Sequence, residues 1–161
     1  MDNKMREIEL EKVILHCTTG DQQKLEKYVK LLEMITGRKP IKTLAKKRIP
    51  SFKIRPGLVI GCKVTLRKKE AEKILKLILT GVKEIKESQV GPGHLNFGIK
   101  EYIEIPSLSY NREIGLLGFD VSVVLKRKGG FKKRKKIGKS HMISREETIQ
   151  FFKKNFNIKI V

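Results

Sequence analysis

Between Ala45 and Gly57 the chain reads AKKRIPSFKIRPG, which places five cations, one aromatic ring and two prolines directly ahead of an alternating run, LVIGCKVTL. Lys46, Lys47, Arg48, Lys53 and Arg55 can donate to phosphate oxygens, and Phe52 offers a flat surface for a base or ribose. Pro50 and Pro56 restrict the backbone on either side of that ring. The ring could instead be buried as the anchor of the loop, and the residues alone leave both roles open. A second basic stretch, KRKGGFKKRKK at 126–136, carries eight cations in eleven residues. Its Lys126, Arg127, Lys128, Lys132, Lys133, Arg134, Lys135 and Lys136, with Lys139 beyond, suit phosphate contacts that position a partner without specifying it. The composition predicts a flexible segment over 126–140.

Covalent chemistry has no comparable footing. His16, His94 and His141 are far apart in sequence, and none has a neighbour at metal-ligand spacing. Cys17 and Cys62 form no CxxC motif and read as two buried thiols in a reducing compartment. No nucleophile, base and orienting group recur in a recognisable catalytic pattern. The glycines at 91–98 lack the GxGxxG or GKS spacing that cradles phosphate. The residues therefore describe a binding protein, with no catalytic residue, cofactor or metal site expected.

Bulk charge names the kind of ligand. Against 17 acidic residues the chain carries 37 Lys and Arg, a net charge of +20 on 161 residues, whereas small domains usually carry a magnitude of about 2 to 8. Such a chain repels itself until a polyanion neutralises it. Nucleic acid does so with release of counterions, which makes binding steeply salt-dependent. No run approaches the roughly 18 apolar residues of a membrane span. MDNKMREIELEK lacks the apolar core of a secretory signal, and no amphipathic or lipidated anchor accompanies the basic run.

The elements that must position these groups follow from periodicity. Ile8, Leu10, Val13, Leu15 and Cys17 predict a strand over Glu7 to Cys17 with a bulge near Glu11 and Lys12. Asp21 caps a helix whose Leu25, Tyr28, Val29, Leu32 and Ile35 repeat until Gly37. A short strand at Ile41 to Leu44 leads into the basic loop, and 59–66 alternates as a strand with one polar, small-residue face. Ala71, Ile74, Leu75, Ile78, Val82 and Ile85 trace a helix between Lys69 and Lys86. VGPGHL at 90–95 reads as a loop, and Phe97 to Ile105 and Phe119 to Leu125 as strands. SREE at 144–147 forms a capping box that opens a C-terminal helix at 144–156, and Ile158 to Val161 reads as a strand closing the sheet. The sum is an α+β fold: one domain over 1–161, an antiparallel or mixed sheet with helices packed on one face, the other face open for binding.

In order along the chain, LEKVILH, ITGRKP, LAKKRIPSFKIRPG, IGCKVTLR, NFGIKEYIEIP and IGLLGFDVSVVL closely resemble the large-subunit ribosomal protein family called L-five in bacteria and archaea and L-eleven in eukaryotes. The tail KKRKKIGKSHMISREETIQFF resembles the archaeal and eukaryotic branch. This resemblance implies a mostly antiparallel five-stranded sheet with helices on one side, and a non-enzymatic constituent of the large subunit in the cytoplasm, without cofactor. Its implied partners are 5S rRNA in the central protuberance, large-subunit rRNA, neighbouring large-subunit ribosomal proteins and the tRNA of the peptidyl site. By resemblance, His16, Arg38, Lys63, Thr65, Arg67, Asn96 and Phe97 would meet 5S rRNA. His16 stands where the family commonly has Asn, and Arg38 where bacterial members have Gln. Ile49, Pro50, Ser51, Phe52, Lys53 and Arg55 would form the tip that reaches toward tRNA. The competing expectation from the residues is a free-standing RNA chaperone or regulator that binds by charge and stacking.

Overall fold

The computed structural model describes residues 3–82, 84–128, 138, 141–156 and 158–161. Among them are six strands and three α-helices: β1 (Ile8–Thr18), α1 (Gln22–Thr36), β2 (Ile41–Leu44), β3 (Val59–Leu66), α2 (Lys68–Leu79), β4 (Val90–Gly91), β5 (His94–Ile99), β6 (Phe119–Arg127) and α3 (Arg145–Phe156). The strands form one antiparallel sheet in the order β2-β3-β1-β6-β5-β4. The chain divides into two compact units, one of 14–65 and 98–121, the other of 1–13, 66–97 and 122–161.

In the unit of 14–65 and 98–121, α1 begins where Asp21 accepts a hydrogen bond from the Gln23 amide at 3.0 Å and closes at Gly37. Its Leu25, Leu31, Leu32 and Ile35 are buried. Within this unit Leu15 and Cys17 of β1 and Cys62 and Val64 of β3 are buried too, while the residues between them on β1, Ile14 and His16, are only partly so. β2 pairs with β3 from Ile41↔Lys63 to Leu44↔Val59. Gly61 is required at that pairing, because a Cβ there would stand 2.5 Å from the Cys17 carbonyl oxygen. The strand expected over Phe97 to Ile105 ends at Ile99, and Tyr102–Glu104 forms a 3-10 turn. Tyr102 and Ile105, both fully buried, are three residues apart, a helical spacing that alternation cannot satisfy.

In the other unit, α2 buries Ala71, Leu75 and Ile78 and stops at Leu79, short of the expected Lys86. There Thr80 donates its hydroxyl to the Leu77 carbonyl at 2.7 Å and Gly81 follows, a poor helix continuation. Ile85 is buried in a parallel bridge to Ile160 instead. The terminal segment therefore pairs with 85–87 and does not extend the six-stranded sheet. VGPGHL is not a loop but a tight hairpin: β4 and β5 pair as Val90↔Leu95 and Gly91↔His94 around Pro92 and Gly93. Proline pre-sets the first turn position and Gly93, at φ 73°, takes the left-handed second one. That hairpin supplies the sixth strand where five were expected. The expected capping box is present: the Glu147 amide donates to the Ser144 hydroxyl at 3.2 Å, and the Ser144 amide donates to the Glu147 carboxylate at 2.9 Å.

Candidate nucleic-acid interface

The loop ahead of β3 is a finger closed by its own backbone. At its base the Ala45 amide donates to the Leu58 carbonyl at 2.8 Å, and the Gly57 amide donates to the Ala45 carbonyl at 3.0 Å. Nearer the tip, Ile49 and Ile54 exchange two hydrogen bonds of 3.0 and 3.1 Å, the narrow pair of an antiparallel ladder. Pro50–Phe52 make a single 3-10 turn, and Lys53 completes the reversal at φ 55°. A non-glycine residue in that region is uncommon and is held there by the bonds on either side. Phe52 is 73% exposed, so it does not anchor the loop. Lys46, Lys47, Arg48, Pro50, Ser51, Lys53 and Arg55 are exposed as well, as is Ile49. None of the five cations pairs with a carboxylate among the described residues.

The same unit carries the uncovered side of β1 and β3. Lys63 is exposed and Thr65 partly so on β3, and His16 is partly exposed on β1. The His16 ring stands 3.8 Å from the carboxylate of Asp120. Sequence reasoning misses Asp120, although the alternation of Phe119, Val121 and Val123 into the core already turns it outward. Arg38 is exposed just beyond the end of α1. On the buried side, the Cys17 and Cys62 thiols are both free and hydrogen-bond each other, and that bond together with burial pushes the Cys17 thiol up.

In the other unit Asn96 is exposed on β5, but Phe97 is 5% exposed and packs into the core, because odd positions of β5 face inward. Its ring is not a stacking surface. Arg67 is exposed and meets Glu11 at 3.5 Å. Lys126 is exposed, whereas Arg127 is 6% exposed and held inside the fold. Its guanidinium donates to both oxygens of Glu147 at 2.8 and 2.9 Å and to the Arg6 carbonyl at 2.7 Å. A phosphate contact from Arg127 would break those bonds. Lys128 is paired with Glu7 and Glu9, and the bond to Glu7 raises its pKa. The Ser144 amide, then the Arg127 guanidinium, holds the Glu147 carboxyl below the usual range. Lys132, Lys133, Arg134, Lys135, Lys136 and Lys139 lie outside the described residues, as does most of the segment expected to be flexible.

A basic α+β protein that leaves part of its sheet bare and holds out a cation-rich, aromatic-tipped loop belongs to the class of proteins that bind shaped RNA. Residues 3–55 match the family described as ribosomal protein L5, and residues 59–155 match the family described as the C-terminus of that same ribosomal protein. The chain is 42% identical to the large ribosomal subunit protein uL5 of Nanoarchaeum equitans, covering all of both chains. It is 41% identical to the uL5 of Thermoplasma volcanium over 99% of each, and 41% identical to that of Sulfurisphaera tokodaii over 99% of this chain and 95% of the relative. The chain belongs to this ribosomal family, whose members are structural and not enzymatic. Membership makes it a component of the large subunit of the cytoplasmic ribosome, and among the described residues no helix is long and apolar enough to cross a membrane.

Proposed function

We propose that this large-subunit constituent binds 5S rRNA through the uncovered side of its sheet and touches the tRNA of the peptidyl site with the tip of the 45–57 finger. The observation that carries the reading is the exposure of Phe52 at the end of a hydrogen-bonded loop whose cations have no carboxylate partner among the described residues. His16, Lys63 and Thr65 supply donors and acceptors of the kind that meet phosphates and 2′-hydroxyls, with Arg38 and Asn96 as further polar contacts. The finger is preorganised, so little conformational entropy is lost when it docks. Neighbouring large-subunit proteins and rRNA complete the surroundings.

A binding competition tests this reading. At about 0.15 M salt, where long-range attraction is screened beyond roughly 8 Å, the full chain is expected to prefer folded 5S rRNA over single strands of equal length. Equal affinity for both would favour a charge-driven RNA chaperone instead. Sedimentation with the large subunit, and its loss when Lys63 and Thr65 are both changed to Ala, supplies the assembled counterpart.

A further inference from the structure

The stretch of β1 before Val13 floors a groove of about 710 Å³ between α2 and α3. Ile8 and Leu10 line it from the strand, and Phe151 and Phe156 from α3, all four only half-buried. The two phenylalanines are braced by Phe152, with ring centroids 5.6 to 6.3 Å apart across the trio. The wall from α2 carries Lys68, Lys69 and Lys76, all exposed and without a carboxylate partner among the described residues, against one acid, Glu72. The glutamates of β1 and the residue before it do not offset them. Glu7 and Glu9 are held by Lys128, and Glu11 by Arg67.

We propose that this groove docks an amphipathic helical segment of another protein, acidic along its flank. The apolar side chains of that segment would fill the space over Ile8, Leu10 and the two rings, and its carboxylates would face Lys69 and Lys76. Charge complementarity selects an acidic partner. The aliphatic floor selects a protein over RNA, because it takes apolar side chains that a nucleic acid does not carry in quantity.

The test uses the full chain and a fluorescent amphipathic peptide about 15 residues long, with Leu and Phe on one face and Glu beside it, near the length at which isolated helices form. Lys69→Glu with Lys76→Glu is expected to weaken peptide binding about tenfold. Lys24→Glu with Lys27→Glu, an equal charge change on α1, should leave it unchanged. Phe156→Ala should also weaken binding, and the exposed lysine pair keeps the test valid should that variant fail to fold. Equal losses from both double variants would mean charge without a site and overturn the proposal. An acidic peptide with its apolar residues scattered, binding as well as the amphipathic one, would overturn it too. So would a single-stranded RNA of similar length that loses affinity in the Lys69, Lys76 variant while the peptide does not.

Discussion

In the finger, five cations stand in solvent with no carboxylate beside them among the described residues, while at the end of β6 Arg127 is 6% exposed and makes bonds to Glu147 and Arg6, and Lys128 is tied to Glu7 and Glu9. Both stretches read as equally basic. The finger's charges are free for an external polyanion, whereas Arg127 and Lys128 are consumed in joining the end of β6 to the first turn of α3 and to the chain before and at the start of β1. Position within the fold decides which. The finger itself contains no acidic residue, whereas β6 ends beside a helix whose first turn carries Glu146 and Glu147.

The sharpest way to break this contrast is Arg127→Ala. Removing the guanidinium takes charged hydrogen bonds from the Arg6 carbonyl and from a Glu147 carboxylate that is itself 39% exposed, at a cost of about 2 kcal/mol, and urea denaturation should report a loss near that size. Stability unchanged, with RNA affinity reduced, would return Arg127 to the set of phosphate contacts. The reciprocal experiment changes Lys46, Lys47 and Arg48 to Ala. Denaturation should move by no more than about 0.5 kcal/mol, while the slope of log affinity against log salt should fall by up to about 0.9 for each duplex phosphate that is no longer neutralised. An unchanged slope would mean these cations merely solvate the finger.

How far the sequence reaches is clear from these same residues. Alternation in β3 and β6, the Asp21 cap and the Ser144 capping box rest on local chemistry that neighbouring residues decide, and each is found in the fold. Where tertiary packing decides, pattern alone falls short. Val82 and Ile85 continue the α2 stripe in phase, but Gly81 releases the chain so that Ile85 can pair with Ile160, a partner 75 positions away. PG at 92–93 reads as a loop because both flanking runs look short, although a two-residue turn is itself a hairpin signal. By residue type alone Arg127 and Phe97 suit ligand contacts. Their positions in the alternation, with Leu125 and Leu95, already point them inward. The finger is legible because its shape is closed by its own backbone and needs no distant partner.

Acid titration sharpens the consumed half of the comparison. The Glu147 carboxyl is held below its ordinary value of 4.5, so the native state favours the ionised form more than the unfolded chain does. Its contribution is complete above that value and is lost as pH falls through the depressed one. Unfolding followed from neutral pH downward should show α3 loosening below about pH 4.5, and Glu147→Gln should remove that acid step at a neutral-pH cost of roughly 2 kcal/mol, for the weakened cap and for the buried Arg127 guanidinium left without its counter-charge. An acid limb unaltered by Glu147→Gln would place the sensitivity elsewhere.

The smallest stability effect is expected from the residue most exposed to a partner. Phe52→Ala removes a ring that is 73% in solvent, so folding stability should change by no more than about 0.5 kcal/mol, against the roughly 3 to 5 kcal/mol typical of a buried phenylalanine. Affinity for isolated 5S rRNA should hardly move, because the sheet face is intact. In assembled ribosomes the same substitution should weaken tRNA in the peptidyl site, and Phe52→Tyr, which keeps the flat ring, should restore it. A variant that destabilises the free chain would make Phe52 a part of the finger's own packing. One that leaves both stability and tRNA binding untouched would assign contact at the tip to Lys53 and Arg55, whose charge the finger also holds clear of the fold.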